Sequence, residues 1–176
     1  MKTQRRRYIR NKAAYIMQKN DISAAPVPVE RIAKSLGAQL RFSPLDDELS
    51  GMIYVKDGVP IIGVNALHHP NRQRFTIAHE CGHLTLHRSA ITKEIHVDKG
   101  FTTMLMRDSV SATGVDEMEV EANLYAAELL MPASFLKQSL REKPFDIDDE
   151  SAVAALAKQY KVSAAAMRFR LGNLLA

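Results

Sequence analysis

The sequence predicts an α+β fold in which helices precede and follow a small antiparallel sheet. Three observations carry this. Residues 51–65, GMIYVKDGVPIIGVN, are two β-branched runs flanking Asp57-Gly58, a dipeptide of tight hairpins. Two long stretches beyond it, near 70–88 and 116–131, carry helical start and stop signals. No repeat or low-complexity tract interrupts them, and 176 residues suit one well-buried core.

The first element, RRRYIRNKAAYIMQKN, reads as a basic helix whose apolar stripe of Tyr8, Ala14 and Ile16 docks on the body. VPVERIAKSLGAQLRF is a short helix with Pro28 near its start and Gly37 just past its end, followed by a strand. After the hairpin, a helix runs from Pro70-Asn71 to about His87-Arg88. Residues 88–115 are irregular, with one strand expected in FTTMLM. DEMEVEANLYAAELLM is the second long helix, closed by Pro132, which cannot continue it. A short helical segment, DDESAVAALAKQY and SAAAMRFRLGNLL complete the chain. The expected division is a basic N-terminal helix and linker (1–26), a core (27–142) and a C-terminal helical hairpin packing on that core (143–176).

Composition narrows the class of protein. Hydrophobic residues make up 46% and charged residues 25%, as in ordinary globular domains. No apolar run has the length of a membrane span, no export signal is legible, and a single cysteine cannot form an intrachain disulfide. The expectation is a cytoplasmic protein with no membrane partner. The formal charge of +4 is uneven, since residues 1–20 hold seven Lys/Arg and no Asp/Glu, leaving 17 basic and 20 acidic residues elsewhere. Such a helix can meet nucleic acid or an acidic partner, or stay solvated.

Chemistry concentrates in RFTIAHECGHLTLH, residues 74–87. Residues four apart share a helix face, so His79 and His83 can aim two imidazoles at one point. Zinc accepts such nitrogens, and Glu80 beside the pair is placed to act as general base. Gly82 costs about 0.8–1 kcal/mol relative to alanine inside a helix, so a close neighbour is expected there. HExxH alone is a common accident and needs a third ligand. The metzincin pattern would require glycine and histidine three and six residues after the second histidine, where this chain has Leu86 and Ser89. His87 is expected to cap the helix end, and His68, His69 and His96 to lie in surface loops.

The remaining option is two histidines and a glutamate. In DEMEVEANLYAAELL, Asp116 and Glu119 form a capping-box pattern, and Glu117 answers the helix dipole. That leaves Glu121, in a segment apolar on nearly every side, as the expected third ligand. Glu128 shares its face two turns on, either supporting a ligand histidine or facing solvent. Cys81 points away from the metal face as a small buried hydrophobe. Tyr125 is either core packing or a hydroxyl for an oxyanion.

RQRFTIAHECGHLTLH together with EVEANLYAAELLMP resembles the ImmA/IrrE family of zinc metallopeptidases, from about Val27 to the C-terminus. The resemblance implies a zincin-like core, zinc held by His79, His83 and the acidic residue taken as Glu121, and Glu80 as catalytic base. It further implies an endopeptidase of prophage, mobile-element or stress regulation that cleaves a helix-turn-helix repressor or antitoxin of the Xre type. Cys81 and Tyr125 depart from the family's commoner residues. Strand PIIGVN is expected to offer its edge to an extended substrate.

A different class of function rests on LAKQYKVSAAAMRFRLGNL, which has helix-turn-helix rhythm with Ser163 as N-cap and Arg168 and Arg170 on the second helix. The protein would then be a DNA-binding or interaction regulator with a silent peptidase site. Lys161 in the turn and the acidic FDIDDE weigh against it, and a helical hairpin packed on the catalytic helices is preferred.

Overall fold

The computed structural model describes residues 1–91, 96–98, 114–141 and 145–175. The elements are α1 (Thr3–Lys19), α2 (Val29–Ser35), β1 (Gln39–Ser43), β2 (Gly51–Lys56), β3 (Val59–Asn65), α3 (Pro70–Leu86), α4 (Arg88–Ile91), β4 (His96–Asp98), α5 (Gly114–Leu130), α6 (Ala133–Arg141), α7 (Glu150–Tyr160) and α8 (Ala164–Leu175). The class is α+β. His96, expected in a loop, begins β4, and the strand expected in FTTMLM lies outside the described residues.

Helix α2 ends as its sequence requires. Gly37 has φ +84, its N–H reaches the Lys34 carbonyl, and the Ala38 N–H reaches Ala33 at 3.0 Å, which is a Schellman closure. The chain then enters β1. Asp57 (φ 51) and Gly58 (φ 78) form the two-residue turn between β2 and β3, both with positive φ as a type I′ turn demands.

The sheet order is β1-β3-β2-β4, with β1 parallel to β3 and the other pairs antiparallel. The sheet is therefore mixed, where the sequence suggested an antiparallel one. A parallel neighbour needs a crossover rather than a hairpin, and the chain from residue 44 through β2 provides it. Buried Asn65 fastens that connection. Its amide donates to the carbonyls of Leu45, Asp46 and Leu49, and its Oδ1 accepts from the N–H groups of Leu45 and Leu67. Strand β3 is consequently paired on both sides and has no free edge for a substrate, contrary to expectation.

One buried cluster draws on every layer: Ile9 and Ile16 from α1, Ile32 from α2, Ile53 and Ile62 facing each other across β2 and β3, Ile77 and Leu84 from α3, Leu129 from α5, and Leu156 and Leu171 from α7 and α8. Helix α1 docks through Ile9, Ala13, Ile16 and Met17, an i, i+4, i+7, i+8 stripe, while Tyr8 is 43% exposed. The stripe is rotated from the expected one. Electrostatics fixes the rotation, because Arg5 meets Glu121 and Arg10 meets Glu128 on α5. The basic helix finds its acidic partner within the chain.

At the C-terminus, Lys161 turns the chain at φ 53 and Ser163 Oγ accepts from the Ala166 N–H, so the expected cap is present. Arg168 lies exposed near Glu150. Arg170, expected to face outward, is 5% exposed and donates to Glu128 Oε1 and Oε2 at 2.9 and 2.5 Å and to the Met131 carbonyl. It ties α8 to α5 and is withdrawn from any surface that would read DNA. Among the described residues, no helix is long and apolar enough to cross a membrane.

Candidate metal centre

Helix α3 opens with His69 as N-cap, its Nδ1 accepting from the Asn71 N–H at 3.2 Å, and with Pro70 in the first turn. One face of its second half lies against α5. A Cβ at Gly82 would stand 3.1 Å from Ala122 Cα and 3.2 Å from Ala122 O and Tyr125 Cβ, so the close neighbour anticipated for this glycine is the α5 backbone. That crossing buries His79 and His83, which are 0% and 1% exposed.

The third group brought to the histidine pair is Glu119. Its Oε2 lies 3.2 Å from His79 Nε2 and its Oε1 3.2 Å from His83 Nε2, while the two Nε2 atoms are 2.9 Å apart. Tetrahedral bonds of about 2.0–2.1 Å would separate ligand atoms by roughly 3.3 Å. The three donors thus converge on a volume the size of one small cation, and the residue types are those zinc takes.

The expected third ligand, Glu121, sits elsewhere. Helix α5 begins at Gly114, ahead of Asp116, so Glu119 lies too deep in the helix for the capping box assumed for it. It is 8% exposed and faces α3. Two residues further, a rotation of about 200° carries Glu121 toward α1 and the end of α3. There Arg5 grips it through Nε and a terminal nitrogen, both at 2.6 Å, and His87 Nε2 donates at 2.9 Å. The Arg5 hydrogen bonds hold its pKa below the ordinary glutamate value, with His87 adding to the effect and burial opposing it. Glu128 is likewise buried rather than solvent-facing, shared by Arg10 and Arg170.

The imidazoles are oriented from behind. His79 Nδ1 donates to Asn123 Oδ1 at 3.0 Å, leaving the Nε2 lone pair directed at Glu119 and His83. His83 Nδ1 lies 3.2 Å from His87 Nδ1. His87 is the C-cap of α3, as expected, but its ring also joins His83 to Glu121. Burial lowers its pKa, which Glu121 partly offsets. Sequence reasoning gave no role to Asn123 and only a cap to His87. The available signal was spacing, since Asn123 follows Glu119 by four residues as His87 follows His83.

Glu80 is fully buried between α3 and the sheet. The start of β2 approaches so closely that a Cβ at Gly51 would stand 2.3 Å from Thr76 Cγ2 and 3.6 Å from Glu80 Oε1. Glycine at that position lets the helix lie against the strand. Cys81 is buried as expected, and burial raises its thiol pKa far above the ordinary range. Tyr125 is 0% exposed, accepts a 3.4 Å hydrogen bond from Thr85 Oγ1, and is part of the core.

A family model described as peptidase M78, the IrrE N-terminal-like domain, matches residues 33–172. A solved structure, a transcriptional regulator of Mycobacterium tuberculosis, is similar with a TM-score of 0.62 and 18% identity over 93% of this chain and 46% of its own. This chain spans about half the length of that protein, and the likeness is one of fold. No curated protein sequence matches.

Proposed function

The chain belongs to the peptidase M78 family of IrrE N-terminal-like domains, and from that premise we propose that it is a zinc-dependent endopeptidase whose ligands are His79, His83 and Glu119 and whose general base is Glu80. The observation that carries the proposal is the meeting of two buried Nε2 atoms and one carboxylate, with Glu80 beside them on the same helix. When bound, zinc supplies a Lewis acid that polarises a carbonyl and acidifies water. Glu80 takes the proton from the attacking water and passes it to the leaving amine. Asn123 and His87 keep the two imidazoles in the form whose Nε2 is free to ligate. Fully buried surroundings keep competing solvent from the ligand set.

The substrate class proposed is a regulatory protein, a helix-turn-helix repressor or antitoxin of the Xre type. Support comes from the family and, more loosely, from a fold relative that is itself a transcriptional regulator. The test is elemental analysis of protein purified with zinc available, with cleavage of a co-expressed repressor as second readout. About one zinc per chain is expected in the wild type and in Glu80→Gln, with cleavage lost in the latter, and little zinc in Glu119→Gln. A wild type that carries no zinc refutes the proposal.

A further inference from the structure

Taking the zinc site proposed above as its basis, we infer that Arg5, Glu121 and His87 form a positioning relay that holds His83 in its ligating tautomer, making the N-terminal helix α1 a working part of the metal centre. The direction of every proton in the relay is set by its outer end. A guanidinium can only donate, so Glu121 accepts twice from Arg5 at 2.6 Å. The same carboxylate accepts from His87 Nε2 at 2.9 Å, which places the His87 proton on Nε2. Neutral imidazole then presents a bare Nδ1, and the partner 3.2 Å away, His83 Nδ1, must supply the hydrogen. His83 Nε2 is left with its lone pair toward Glu119 and His79.

The two ligand histidines are thus oriented from different parts of the fold. Asn123 on α5 sets His79. His83 is set through three side chains that end on α1, a helix outside the residues matched by the family model. His87 and Glu121 are shielded, with side chains 7% and 14% exposed, so water competes poorly for their hydrogen bonds. Arg5 is the accessible end, at 40%. Its position is backed by the buried stripe of α1 and by the Arg10–Glu128 pair.

Two measurements test the relay. Long-range proton–nitrogen NMR of the metal-free protein reports the tautomer of His83, and chelator competition reports the zinc Kd. In the wild type His83 should carry its proton on Nδ1. His87→Phe should move that proton toward Nε2 and weaken zinc binding by about 10–100-fold. Arg5→Gln, a surface change that leaves the core intact, should shift both readouts the same way to a smaller extent, with Arg5→Lys recovering part of the loss. Added to His87→Phe, it should have no further effect. Unchanged tautomer and unchanged Kd in Arg5→Gln and His87→Phe would overturn the relay. If His87→Phe fails to fold, Arg5→Gln alone decides. A wild type that binds no zinc refutes the peptidase reading instead, and the metal-free tautomer still decides the relay.

Discussion

Gly82→Ala tests how tightly the metal centre depends on the α3–α5 crossing. The new Cβ would stand 3.1, 3.2 and 3.2 Å from Ala122 Cα, Ala122 O and Tyr125 Cβ, short of the 3.4 Å at which ordinary contact begins by 0.3, 0.2 and 0.2 Å. Two of the three atoms are backbone, so no rotamer change relieves them and α5 must move. Overpacking of this kind costs about 1–3 kcal/mol, while alanine regains about 0.8–1 kcal/mol of helix propensity. The net is a destabilisation of about 0–2 kcal/mol. Gly172 in α8 is the control, since a Cβ there meets nothing within 4 Å and the same substitution should stabilise by about 0.5–1 kcal/mol. Propensity cancels between the two variants, so Gly82→Ala should melt below Gly172→Ala by the overpacking cost, at about 2–4 °C per kcal/mol for a chain of this length. Urea and thermal unfolding of the metal-free proteins measure this. Equal stability of the two variants would refute the reasoning. Because Ala122 lies one turn from Glu119, Gly82→Ala should also weaken zinc binding.

The buried pair of Arg170 and Glu128, each side chain 6% exposed, predicts that Arg170→Met alone costs about 3–5 kcal/mol by leaving a carboxylate that Arg10 only partly answers. Urea denaturation should show Arg170→Met with Glu128→Leu to be more stable than Arg170→Met alone; the reverse order would contradict the account. Burial raises the pKa of the Tyr125 and Tyr160 phenols above the ordinary 10.0, hydrogen bonds from Thr85 and Ser139 opposing it. A group whose pKa rises on folding stabilises fully below its unfolded pKa and loses that contribution as pH climbs from there through the folded value. Stability should therefore fall above pH 10, by up to about 1.4 kcal/mol per pH unit for fully buried Tyr125, and Tyr125→Phe should flatten the decline in pH-dependent unfolding.

Local chemistry made much of this protein readable from its sequence. The Asp57-Gly58 turn, the Schellman closure at Gly37, the N-cap at Ser163 and the termini of α3 depend on residues within a few positions of one another. His79 and His83 belong with them, because helical spacing alone puts two imidazoles on one face. Gly82 also announced a close neighbour without naming it.

Only tertiary structure decided the rest, since it turns on which helix face meets which neighbour. Glu119 and Glu121 sit two residues apart in an apolar segment, and the start of α5 at Gly114 and its rotation against α3 choose between them. That same rotation presents Glu121 and Glu128 to α1, converting a basic stretch from a surface feature into a docked helix. Arg170 reads as an outward arginine until its distance to Glu128 is known. Spacing along a chain fixes angles within an element; contacts between elements set what those angles mean.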